Sequence, residues 1–209
     1  MCAGEYYHLY NRGNNRERIF FERENYLFFL RRLRKYAAPV LDVVSYCLMP
    51  THYHLLVQVK QTSEVSEDLG GPGTSKAMMR LSVSYTKAMN RRYDRAGSLF
   101  QGAFRAKHVD GDDYLVHLSR YIHLNPVFAG LVERPEEWEF SSHREYVGLR
   151  NGTLPKPEIV LSQFPSPEAY QDFVESYAPQ EQEMIADLLF DLQPPDLRGF
   201  RRTAGLGSE

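Results

Sequence analysis

At 209 residues, with 43% hydrophobic and 13% aromatic side chains, the chain can bury a core, yet it holds no apolar run long enough to span a bilayer. Its two cysteines, Cys2 and Cys47, are too few and too far apart for a disulfide framework, and Met1-Cys2-Ala3-Gly4 is no signal peptide, so a cytoplasmic protein without membrane contact is expected. The net charge of −2 hides an asymmetry: residues 1–150 carry 21 Lys and Arg against 17 Asp and Glu, whereas residues 151–209 carry 4 against 10, the pattern of a basic body that binds a polyanion.

The chain opens with a β-prone stretch, Glu5 to Tyr10, followed by Asn11-Arg12-Gly13-Asn14-Asn15-Arg16, a turn by composition. Arginines beside a glycine turn can grip phosphates, although a polar loop has the same composition. From Arg23 to Ala38, Tyr26, Leu27, Leu30, Leu33 and Tyr36 recur at helical spacing, with Arg31, Arg32, Arg34 and Lys35 largely opposite, and Pro39 ends the helix. Residues 41–60 read as a β-hairpin turning at Met49-Pro50-Thr51, with the second strand starting at about Thr51. Gln61 to Gly73 reads as a mobile loop. A helix over about 75–94, capped by Thr74 or Ser75, would bury Met78, Leu81, Tyr85 and Met89 and expose the most basic surface of the chain. Residues 98–109 then read as a strand bulged at Gly102, and Asp110 to Asp113 cap a third helix from Tyr114 to about Leu124, limited by Pro126.

The order β, α, β, β, α, β, α contains the split β-α-β unit of a ferredoxin-like α+β fold, an antiparallel sheet with that unit's helices on one face. Side chains alternate along a strand, so His52 and His54 share a face while Tyr53 and Leu55 take the other. An isolated His-x-His more often packs in a sheet than binds a metal. On the third helix Tyr121 and Asn125, four residues apart, lie on one face with Tyr114 and Leu118 in the same stripe, and a tyrosine at helical spacing more often belongs to a core. The histidine pair, the helical Tyr with its amide and the basic surface together form the equipment of a metal-assisted nuclease with a tyrosine nucleophile.

Met49-Pro50-Thr51-His52-Tyr53-His54-Leu55-Leu56-Val57 resembles the HUH motif of single-strand DNA transposases with one catalytic tyrosine. Tyr7-His8 with residues 11–16, Leu99-Phe100-Gln101-Gly102, residues 121–132 and Trp138-Glu139-Phe140-Ser141-Ser142 are similar to the branch called REP-associated tyrosine transposases. The likeness covers roughly residues 6–148. Thr51 stands where relatives often carry Asn, and Phe128 where they commonly carry Arg.

The resemblance implies an HUH nuclease domain over 1–148, while residues 149–209 read by composition as an acidic, partly helical extension, with a helix capped by Ser166 and another from about Gln180 to Leu192. It implies that His52, His54 and Asn125 hold one divalent cation, Mg2+ or Mn2+, and that Tyr121 attacks single-stranded or hairpin DNA to form a 5′-phosphotyrosine link, later resealed by another 3′-OH. Arg12, Asn14, Arg16, Arg80, Lys87, Arg91, Arg105 and Lys107 are the expected DNA contacts, on a monomer or homodimer. Two rivals remain: a nucleic-acid-binding module without catalysis, and a metal hydrolase using Asp110, Asp112 or Asp113 with no covalent intermediate.

Overall fold

The computed structural model describes residues 1–61 and 73–177. The loop expected after Gln61 and the helix expected over about 180–192 lie outside the described residues. Strands β1 (Tyr6–Arg12), β2 (Leu41–Met49), β3 (His52–Val59) and β4 (Arg105–Val109) form one antiparallel sheet in the order β2-β3-β1-β4. Helices α1 (Arg23–Tyr36) and α2 (Gly73–Arg92) join these strands in the ferredoxin-like sequence, and α3 (Asp112–Phe128), α4 (His143–Tyr146), α5 (Glu158–Leu161) and α6 (Pro167–Glu175) follow.

Strand alternation divides the interior into two cores, one on each face of the sheet. Tyr7, Leu9, Leu41, Val43, Tyr46, Leu48, Tyr53, Leu55 and Val57 pack with the buried stripes of α1 and α2. Val44, Cys47, Met49 and Leu56 point the other way, onto α3 and the C-terminal helices. The α1 stripe is centred on Tyr26, Phe29 and Leu33 rather than on Leu27 and Leu30, because Phe29 sits fully buried among Phe20, Tyr53 and Tyr85. In α2 the expected Met78, Leu81, Tyr85 and Met89 are all buried.

Four sequence expectations are corrected. Asn11 and Arg12 belong to β1, where they pair with Tyr53 and His52, so the turn begins only at Gly13. Gly13 is obligatory there: a Cβ would lie 2.1 Å from the Glu17 carbonyl oxygen. β4 starts at Arg105 instead of Ser98, since residues 99–101 turn to bond the end of β1 through Asn14 N–H to the Leu99 carbonyl and Gln101 N–H to the Arg12 carbonyl, and Gly102 takes φ +80°. α2 begins at Gly73, ahead of the expected caps. α3 runs through Pro126 to Phe128. The proline lies in the last turn, where its missing N–H forfeits a single helical bond and the Ala129 and Leu131 amides still bond back to Asn125 and Pro126.

The described part of the extension covers the outer side of α3. Val160, Tyr170 and Val174 are buried in the α3 core, and Ser166 caps α6 by accepting from the Ala169 N–H at 3.3 Å. Cys47 is buried and Cys2 exposed, so the two are unpaired thiols. Among the described residues no helix is long and apolar enough to cross a membrane.

Candidate active site

The hairpin turn is fixed from outside: the Pro50 carbonyl accepts from the Ile19 and Phe20 amides, and the Thr51 carbonyl accepts from Gly13 N–H at 2.8 Å. His52 and His54 therefore leave the turn in a rigid central strand on the α3 side of the sheet, their ring centroids 5.0 Å apart and nearly perpendicular. Tyr53, between them, is buried in the opposite core.

α3 lays Tyr121 and Asn125 over this face. The Tyr121 ring meets His54 edge-on at 5.9 Å and Phe128 at 6.2 Å. The Asn125 side chain donates to the Tyr121 carbonyl at 2.9 Å, which holds the amide one turn beyond the phenol on the same face of α3. Burial pushes the Tyr121 phenol up to about 12, against which the Asn125 contact works. Burial also lowers half-buried His52 to about 4, partly offset by Asn125 and reinforced by Arg12, while burial and the neighbouring imidazoles of His52 and His8 hold His54 well below the usual imidazole range. Both rings are neutral at physiological pH, the form that donates an electron pair to a metal. Two neutral imidazoles and an amide oxygen make a chemically coherent donor set for a divalent cation.

Two further residues contact the histidine pair, a role that the sequence did not assign to them. His8, fully buried on β1, places Nε2 2.9 Å from His54 Nδ1. Thr51 Oγ1 lies 2.9 Å from His52 Nδ1. The available sequence signal for His8 was its alternation with Tyr7 and Leu9, which the β1 register turns into proximity.

The expected DNA contacts divide by face. Arg12 pairs with His52, Arg105 with Tyr10 and Lys107 with His8 across the ladders, so all three share the histidine face. Arg12 also donates through Nε to Gln101. Asn14 and Arg16 are exposed on the adjoining short turn. Arg80, Lys87 and Arg91 are exposed on α2, across the sheet from Tyr121. Asp110, Asp112 and Asp113 are exposed at the start of α3; among the described residues no three His, Cys, Asp or Glu side chains gather as a metal cage.

The helix bearing Tyr121 is anchored on its outer side. His123 bonds the Tyr170 hydroxyl through Nδ1 and Ser142 Oγ through Nε2, both at 2.8 Å, and Ser142 in turn accepts from Tyr46 N–H on β2. Arg120 stacks its guanidinium 3.9 Å above Phe173 and donates to the Phe173 carbonyl.

These buried histidines are expected to make the fold acid-labile. Burial lowers His143 from 6.5 to about 4, and burial with the nearby His143 holds His123 well below the usual imidazole range. The unfolded chain takes up protons as the pH falls below about 6.5 while the folded chain does not, so stability present above that value is lost on acidification until the folded pKa is reached, at about 1.4 kcal/mol per pH unit for each histidine. Urea melts should show a falling midpoint between pH 7 and pH 5, and His143→Gln should flatten the dependence. An unchanged midpoint over that interval would contradict the assignment of these rings as neutral.

Residues 3–125 match the family model described as transposase IS200 like. The chain belongs to the IS200-like transposase family. A Haemophilus influenzae protein described as a REP-associated tyrosine transposase is 26% identical over 114 residues, a match that covers 50% of this IS200-like chain and 60% of its relative. A solved structure of a REP-associated tyrosine transposase bound to a REP hairpin superposes with a TM-score of 0.53 at 15% identity, covering 74% of this chain and 93% of that one. At that identity the likeness is one of fold, and it agrees with the four-stranded sheet and its flanking helices.

Proposed function

We propose that the chain is a single-strand DNA transposase that cleaves and rejoins hairpin-containing DNA through a 5′-phosphotyrosine on Tyr121. The observation that carries this reading is the face shared by β3 and α3: the His52 and His54 rings lie 5.0 Å apart, and the Tyr121 ring, with Asn125 one turn on and bonded back to the Tyr121 carbonyl, meets His54 edge-on at 5.9 Å. A divalent cation, Mg2+ or Mn2+, held by His52, His54 and Asn125 would supply Lewis-acid stabilisation of charge on a scissile phosphate oxygen.

The remaining work falls to the chain. Burial raises the Tyr121 phenol above its usual range, so it enters the reaction protonated and gives up its proton in the course of attack. Asn125 favours the oxygen as it gains negative charge. The Tyr121 oxygen bonds phosphorus as the bond to the 3′ oxygen breaks, the phenolic proton departs to solvent and the leaving oxygen is protonated to a 3′-OH. Attack by another 3′-OH reverses the step and frees the phenol, with no external energy. Arg12, Arg105 and Lys107, on the same face, bind and orient the phosphates. Anchoring of α3 through His123 and Arg120 limits the movement of the nucleophile.

Incubating a labelled hairpin oligonucleotide with the protein and Mn2+, followed by denaturing electrophoresis, tests the reading. A shifted protein-DNA species supports it, cut DNA without a shift supports the hydrolase, and no reaction leaves a binding module. Binding itself should weaken steeply with salt. Three to five neutralised phosphates give a slope of about −2 to −4 in log K against log salt for single strands. Affinity that stays flat between 50 and 200 mM salt, measured by fluorescence anisotropy, would count against a nucleic-acid partner.

A further inference from the structure

His8 is an imidazole with no solvent exposure in the middle of a sheet, a position at which an aliphatic side chain would pack without any polar cost. Its ring stacks on His54 with centroids 5.1 Å apart and contacts Tyr10 at 4.9 Å, and its Nε2 meets His54 Nδ1 at 2.9 Å. A contact of that length between two neutral imidazoles is a hydrogen bond in which one ring donates and the other accepts. The two possible arrangements differ in what they leave at the other end of His54. If His8 donates, His54 carries its proton on Nε2 and has no lone pair there. If His8 accepts, His54 carries its proton on Nδ1, and Nε2 is a ready ligand.

We propose that His8 is a positioning residue for the cation site: it accepts the His54 Nδ1 proton, fixes that tautomer and ring orientation, and leaves His54 Nε2 as the ligating nitrogen. This rests on the cation site of the proposed function. Ligating histidines are commonly oriented in this way by an acceptor on their second nitrogen, and the acceptor here comes from a neighbouring strand rather than from a carboxylate. β1 makes the arrangement rigid, since its ladder pairs Tyr10 with His54 and His8 with Leu56, which sets His8 diagonally beside the His54 ring.

The test uses the full chain labelled with 15N-histidine. Two-bond 1H–15N correlation spectra of the metal-free protein report which His54 nitrogen carries the proton, and calorimetric Mn2+ titration reports affinity without DNA or turnover. Wild type should show His54 protonated on Nδ1. His8→Phe keeps the ring volume but offers no acceptor, and should weaken Mn2+ binding by about 10- to 100-fold. His8→Gln places an amide oxygen near the former Nε2 and should restore affinity to within a few-fold of wild type; a purely structural role would lower thermal stability in both variants and leave affinity unmoved. His54 protonated on Nε2 in wild type would overturn the proposal, whether or not either variant folds. Equal Mn2+ affinity in wild type and His8→Phe would overturn the role of His8 alone, whereas a wild type that takes up no Mn2+ would remove the cation site and this role together.

Discussion

Tyr121→Phe is expected to eliminate both the covalent protein-DNA adduct and strand cleavage, a loss on the order of 10^4-fold or more, as is usual when a nucleophile is deleted. The variant should fold, because the ring keeps its edge-on contact with His54 and its packing against Phe128. The Asn125 side chain bonds the Tyr121 backbone carbonyl, a contact the substitution leaves in place. DNA affinity should stay close to wild type, since the basic side chains are unaltered. Two other tyrosines serve as internal controls. Tyr53 is buried in the opposite core, and Tyr114 is 46% exposed at the first turn of α3, two turns before Tyr121. Conservative replacement of Tyr114 should therefore leave adduct formation intact. Mass spectrometry of the trapped adduct after proteolysis decides the matter, and a nucleotide on Tyr114, on Tyr53 or on no tyrosine would overturn the assignment.

The legible part of this fold was its periodicity. Two-residue alternation puts His52 and His54 on one face, and the four-residue interval puts Tyr121 and Asn125 on another, so the residues of both halves of the candidate site stand out in the sequence. The element order likewise carried the ferredoxin-like sheet. What sequence could not supply was register and direction. Asn11 and Arg12 have the composition of a turn, yet the ladder with β3 keeps them in the strand, and this pairing sets Arg12 beside His52. His8 stands in the sequence only as part of the Tyr7-His8 motif, and its place beside His54 follows once β1 is seen to lie between β3 and β4. Pro126 looked like a stop because local chemistry penalises proline in a helix, but its place in the last turn makes the penalty small. Arg80, Lys87 and Arg91 give α2 its charge, and only the packing of Met78, Leu81 and Tyr85 reveals that α2 covers the face away from Tyr121. Charge counts locate no face.

His54→Ala should remove metal-dependent cleavage by at least about 10^3-fold, more than the 10- to 100-fold typical of a residue that only supports a ligand. His52→Ala should do the same, since a single imidazole and an amide cannot hold a labile divalent cation at ordinary concentrations. The two variants should differ in stability. His54 is 1% exposed and its loss leaves a void and the His8 nitrogen without its bond, whereas half-buried His52 gives up less packing. Asn125→Ala belongs to a separate class. It removes one neutral oxygen donor and the amide that favours the phenolate, so cleavage should slow while high Mn2+ recovers part of the rate. Single-turnover cleavage across a Mn2+ series, with DNA binding measured in parallel, separates these outcomes: a rescued Asn125→Ala beside unrescued histidine variants fits a cation held chiefly by the two imidazoles. Wild-type cleavage by His52→Ala would remove that cation from the mechanism and leave Tyr121 to be activated by Asn125 and the basic face alone.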